Sequence, residues 1–203
     1  MKKITLSFIF GLFTLFTSAQ TNRAATLSAF GKEIPEFLGI EVDGKRDEVI
    51  EKFKAKGFIV KSDINKGTVV SMKGSVGNLN FDLNIVSTPK SKVVRKFAVY
   101  LPEQNSWNIL LDDYTRLKTT LTDKYGNPEQ SFDFFSSPYK LGDGYEMTAV
   151  AAEKAHYASY WTLKGYTLSI EISKWKQVRI AYENDNNSKL GEKEQKDIDS
   201  NIF

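Results

Sequence analysis

Two stretches of the chain alternate apolar and polar residues with a period of two. In "LNFDLNI" (79–85), Leu79, Phe81, Leu83 and Ile85 fall on one side, and Asn80, Asp82 and Asn84 on the other. "TLSIEIS" (167–173) sets Leu168, Ile170 and Ile172 against Ser169 and Glu171 in the same way. This is the pattern of strands with one face buried and one face wet, as in antiparallel sheets. Each stretch has a strand-like neighbour before it, at 68–76 and 156–163, and another after it, at 96–103 and 177–184. Two shorter apolar runs, "FIV" (58–60) and "SFDFF" (131–135), complete the set.

A three- and four-residue period marks two helices. The first carries Val49, Ile50 and Phe53 on one face, with Asp43 expected as its cap, Asp47 and Glu48 in its first turn and Gly57 as its stop. The second is longer. Trp107, Leu110, Leu111, Tyr114, Leu117, Leu121 and Tyr125 form its stripe, Ser106 stands at its start, and Gly126 and Pro128 end it. Such a stripe needs an apolar surface to cover, most naturally a sheet.

The order is therefore helix and four strands, twice. It predicts an α+β fold of two pseudo-repeats, 37–103 and 104–184, in a single domain over 37–184. Both helices are expected on one face of a curved antiparallel sheet. Residues 20–36 read as a lead-in. Residues 185–203 read as a polar, poorly ordered tail with at most a short helix near 192–199.

The two halves differ in one connection. "SDINKG" (62–67) joins the first two strands of the first half, whereas the matching link in the second half runs from about 136 to 155. Loops of that length in compact domains usually carry a function or structure of their own. This one begins with "FFSSPYKLGDGYEM" (134–147), rich in rings, turn residues and acids, and continues into an alanine-rich, helix-favouring segment at 145–155. Phe135, Tyr139, Asp143 and Tyr145 are the candidate binding residues. One of Phe134 and Phe135 is expected in the core, since both finish a strand.

The first residues address compartment. Two lysines, an apolar run from Ile4 to Phe16 and small residues at Thr17 and Ala19 match a secretory signal peptide at 1–19, cut after Ala19. A membrane anchor is the weaker reading, because about 13 apolar residues fall short of the roughly 20 needed to span. The chain is expected to be exported, to the periplasm or beyond the cell. It contains no cysteine, which removes disulfides and the cysteine-linked lipid anchor. No second apolar run is long enough to span a bilayer. Losing Lys2 and Lys3 with the leader leaves 26 basic against 25 acidic residues. That balance gives no field for nucleic acid.

Catalytic patterns are sparse. His156 is the single histidine, expected to be exposed or locally hydrogen-bonded rather than a base. No G-x-S-x-G elbow gives a serine context. With no cysteine, zinc would need mostly carboxylates, which is atypical. Calcium could draw on Asp133, Asp143 and Glu146, but the spaced EF-hand loop is missing. Asp112 and Asp113 read as a solvated helix face, and Gly74 and Gly77 as bends or strand-end turns. No cofactor and no metal are expected. Among the aromatics, Trp107, Tyr114 and Tyr125 read as core. Trp161 and Trp175 lie in or beside strands and read first as partly buried sheet residues; Trp175 sits at a link between two strands, where exposure is the alternative and would suit a sugar or a partner protein.

"FLGIEVDG", "KGF" (56–58), "KYGNP" (124–128), "FFSSPY", "GDGYEM" and "VRIAYEN" together resemble a family of exported proteins from Bacteroides-like gut bacteria. The resemblance covers most of the chain after the leader and brings no catalytic residues with it. Relatives with this pattern can carry a cysteine in the segment matching 154–157, and this chain has none. The helix-plus-four-strand order also resembles, in architecture only, the tandem-repeat β-lactamase inhibitor protein and the SmpA/OmlA outer-membrane lipoprotein. Both are protein-binding scaffolds. The expectation is an exported, soluble, non-catalytic module that binds a protein or other macromolecule. The alternative is a small-ligand or glycan binder using the loop 134–147.

Overall fold

The computed structural model describes residues 34–64 and 67–201. The leader at 1–19 and nearly all of the lead-in lie outside the described residues. A short hairpin of β1 (Glu36–Phe37) and β2 (Ile40–Glu41) comes first. Helix α1 (Arg46–Ala55) follows, then strands β3 (Ile59–Ile64), β4 (Val69–Val76), β5 (Leu79–Ser87) and β6 (Val94–Tyr100). Helix α2 (Trp107–Tyr125) leads into β7 (Gln130–Phe135), a short helix α3 (Glu146–Ala151), and strands β8 (Ala155–Leu163), β9 (Tyr166–Ile172) and β10 (Val178–Asn184). Helix α4 (Asp185–Asp199) is last.

Strands β3 to β10 form one eight-stranded antiparallel sheet in the order β3-β4-β5-β6-β10-β9-β8-β7. Each half is a meander, and the two meet where β6 pairs with β10, with Ala98 opposite Ala181. The register lines up one buried face across both halves. Met72 faces Leu83, Leu83 faces Val99, Val99 faces Ile180, and Ile180 faces Ile170. All five are buried, as the alternation of 79–85 and 167–173 anticipates.

The helices supply the other side of the core. Val49, Ile50 and Phe53 of α1 are buried, and the Phe53 ring lies 5.3 Å from Phe97 of β6. Trp107, Leu110, Tyr114, Leu121 and Tyr125 of α2 are buried too. The caps differ from expectation. The residue before α1 is Lys45, and the Asp43 carboxylate instead accepts from Gly44 N (2.7 Å) and Asn187 Nδ2 (2.9 Å). Gly77 makes the expected turn after β4, but Gly74 lies inside the strand. A Cβ there would sit 2.5 Å from the Phe58 ring, so glycine answers a close approach rather than a bend.

Residues 185–199, expected as a polar tail, form the 15-residue helix α4. Asn184 caps it by accepting from Asn187 N at 3.1 Å. The helix docks through polar groups. Ser188 donates to Glu183 (2.7 Å), and buried Glu194 accepts from the amides of Lys90 (2.7 Å) and Ser91 (3.1 Å). Burial raises both carboxyl pKa values, but these bonds, with Lys96 beside Glu183, outweigh it and hold both groups below the ordinary 4.5. An apolar-periodicity rule has nothing to detect in a helix anchored this way.

Candidate functional site

In β7 to β10 the residues between the buried ones form the opposite, outer face. Phe132 and Phe134 of β7 stand beside Ala158 and His156 of β8. Ala158 stands beside Glu171 of β9, Glu171 beside Arg179 of β10, and Arg179 beside Tyr100 of β6. A cleft of about 650 Å³ opens along this row and reaches Trp175 in the β9–β10 turn. That volume lies within the range typical of ligand sites.

The walls are aromatic and open. Trp175 is 67% exposed, Phe134 50% and Phe132 42%. Exposure of large rings carries information when they cluster. The Phe134 ring stacks on His156 with centroids 4.7 Å apart, and Phe132 meets Tyr160 edge-on at 6.3 Å. Position in the chain explains the openness. Phe132 and Phe134 alternate with Phe135 and Asp133 along the last strand of the sheet, and Trp175 tips a tight turn closed by Lys176 N to Ser173 O.

The polar part of the cleft is nearly balanced. Arg179 Nη2 lies 2.9 Å from Glu171 Oε1, and Lys174 Nζ lies 3.5 Å from Glu153 Oε1. Two atoms are left over. Among the described residues, Arg179 Nε and Ser173 Oγ are the buried side-chain polar atoms with no hydrogen-bond partner, and both residues line this cleft. A buried donor without an acceptor is costly, and a bound oxygen would satisfy either atom.

The expected binding residues fall in different places. Phe135 points to the buried side, 5.2 Å from Trp107 and 5.5 Å from Tyr157, so Phe135 is the core ring of the pair and Phe134 the open one. Asp143 is a turn cap. Its two oxygens accept from Lys140 N (2.9 Å) and Tyr145 N (2.8 Å), and these backbone bonds lower its pKa. Tyr145 is exposed and Tyr139 half-buried. None of the four is among the described residues lining the cleft. The alanine-rich segment is helix α3, with Ala149 and Val150 buried. Trp161 is core, and its Nε1 donates to Gly126 O at 2.7 Å.

Two clusters resemble catalytic groupings. Ser136 Oγ lies 2.7 Å from His156 Nε2, the spacing of a nucleophile and its base. No carboxylate among the described residues bonds the imidazole, so the third group that orients such a base is missing there. Under α2, Lys118 Nζ donates to Ser131 Oγ (2.7 Å) and Asp133 Oδ2 (3.0 Å). Ser131 also meets Ser159 (3.0 Å), which meets the Tyr114 hydroxyl (3.1 Å). Burial, followed by the nearby Asp133 charge, raises the Tyr114 pKa and keeps it a neutral donor. The network ties α2 to β7 and β8, and its lysine is held against a carboxylate. Among the described residues, no three His, Asp or Glu side chains converge on a point fit for a metal ion, and no helix is long and apolar enough to cross a membrane.

Neither the protein-family models, nor the curated proteins, nor the solved structures contain a match to this chain.

Proposed function

We propose that this chain is an exported, non-catalytic interaction module that grips a partner protein or other macromolecule with the outer face of β7 to β10. The observation that carries the reading is a coincidence of place. The exposed rings Phe132, Phe134 and Trp175 and the unpartnered atoms Arg179 Nε and Ser173 Oγ line the same cleft. Aromatic and arginine side chains dominate binding hot spots because they bury large area with few rotors and retain a polar handle. The Ser136–His156 pair fits a local tie between β7 and β8 better than a catalytic dyad.

In this reading the fold is a pair of pseudo-repeats with α1 and α2 on the buried face, which leaves the outer face for partners. The mirrored strand order and the contacts Phe53–Phe97 and Tyr114–Ser159 support it. A glycan or other small ligand is the second reading, favoured by the volume of the cleft. The site is centred on Phe134 and Trp175 in both readings, rather than on Tyr139 and Tyr145.

The test is cross-linked capture from periplasmic and culture-supernatant extracts, using wild type, Phe134→Ala, Trp175→Ala and the loop control Tyr145→Ala. Partners are expected with wild type and the control and are lost with the two cleft variants. Equal capture by all four would remove the cleft from the function.

A further inference from the structure

The eight-stranded sheet ends in β3 on one side and β7 on the other, and the two edges are built differently. At β3 the register shifts between Val60 and Ser62, and Lys61 reaches across to Asp82 at 3.0 Å. A bulge and a lysine are the usual devices that stop an edge from pairing with another chain. Strand β7 carries no lysine, and its irregularity is confined to its start, where Glu129 N also donates to Tyr160 O at 2.8 Å. It pairs with β8 in unbroken register from Gln130 to Phe135, and every residue from Gln130 to Phe134 is exposed.

Ser136 N donates to Lys154 O at 2.7 Å, which fixes the phase of the β7–β8 ladder. Even-numbered residues of β7 then bond to β8, and the N–H and C=O groups of Ser131, Asp133 and Phe135 face outward. We infer that this edge pairs antiparallel with β7 of a second copy of the chain, joining two sheets across a two-fold axis. The inference does not rest on the cleft reading, although it uses Phe132 and Phe134, which also line the cleft.

The side chains select the register. A two-fold axis through Asp133 would set it directly against its own copy, and like charges directly opposite destabilise a pair. An axis through Phe132 avoids this. It places Ser131 opposite Asp133 of the second copy on the buried side, where Lys118 already bridges Ser131 and Asp133 within one chain. The two carboxylates and two ammonium groups then alternate in sign. On the outer side Phe132 meets Phe132 and Gln130 meets Phe134, so the rings exposed in the single chain cover one another. An isologous contact of this kind closes on itself and does not propagate.

The test is weight-average mass by sedimentation or light scattering across roughly a hundredfold range of concentration. Wild type is expected to rise about twofold in mass. Ser131→Pro removes an outward N–H that β8 does not use, and Phe132→Lys places two ammonium groups on the axis. Both are expected to stay monomeric with an unchanged far-UV spectrum. Mixing Phe132→Lys with Phe132→Glu is expected to restore the doubled mass, because residue 132 faces itself in this register alone. Trp175→Ala is expected to dimerise like wild type, which separates this inference from the cleft. A wild type that stays monomeric throughout, a dimer that survives both variants, or a mixture that stays monomeric would each overturn the proposal. If Ser131→Pro does not fold, the charge pair at 132 still decides.

Discussion

The two four-strand halves share a buried face and differ on the outer one. In β3 to β6 the outer face carries paired polar groups, with the exposed Ile59 beside Lys73 as an isolated apolar residue. Lys61 pairs with Asp82, and the Ser71 hydroxyl donates to Asn84 Oδ1. In β7 to β10 the corresponding positions carry Phe132, Phe134 and Tyr160, together with an arginine whose Nε has no acceptor. One half thus presents paired polar groups and a lone exposed Ile59, the other clustered rings and a donor without a partner. Burial on the core side is what both halves need in order to fold. The exposed rings on the outer side of the second half pack on one another across strands, and they are where the proposed binding would act.

The largest expected effect tests the shared side. Phe97→Ala in the first half and Trp161→Ala in the second each remove a fully buried ring. Each should cost about 3–5 kcal/mol in denaturant unfolding. A large loss in one half and none in the other would break the equivalence of the two cores. On the outer side the halves should part company. Trp175→Ala should lower partner affinity by roughly tenfold or more, the scale of a hot spot, with an unchanged unfolding midpoint. Lys73→Ala, on the outer face of the first half, should change neither. A finer test is Arg179→Lys. It keeps a cation for Glu171 but loses Nε, so affinity should fall by a few-fold while stability shifts by less than about 0.5 kcal/mol.

The smallest expected effect concerns acid. Glu183 and Glu194 sit below the ordinary 4.5 in the folded state. A carboxyl lowered by folding adds stability that is present above that value and lost as pH falls through the depressed folded value. Unfolding midpoints should therefore decline below pH 4.5, and Glu194→Gln should flatten that decline. An equal slope in the variant would show that α4 is not held by this carboxylate.

Much of the sheet could be read from the chain because alternation is a local signal. Leu83 and Ile85 declare their face in one heptapeptide, and Trp107 to Tyr125 declare a helix by period. Trp175 reads first as a partly buried sheet residue, and its place in a link between strands offers exposure only as the alternative; at 67% exposed it is the alternative that holds. The cleft was harder to see. Phe132, Glu171 and Arg179 are distant in sequence and meet only through register, which depends on which strands pair. Arg179 looked like any outward polar residue of a strand, and its missing acceptor is a property of its neighbours. The loop 134–147 drew attention by composition. Its acid Asp143 serves the turn that contains it, and the ring of that stretch that opens into the cleft is Phe134, which belongs to β7.

The seam between β6 and β10 has a consequence for timing. Strand β10 is the last strand made, yet it occupies the middle of the sheet. Both meanders pair neighbours in sequence and can zip early, but β6 must wait for a partner some 80 residues downstream. The sheet thus closes only after its final strand has emerged. Until then the nascent chain is two separate ribbons rather than one plate.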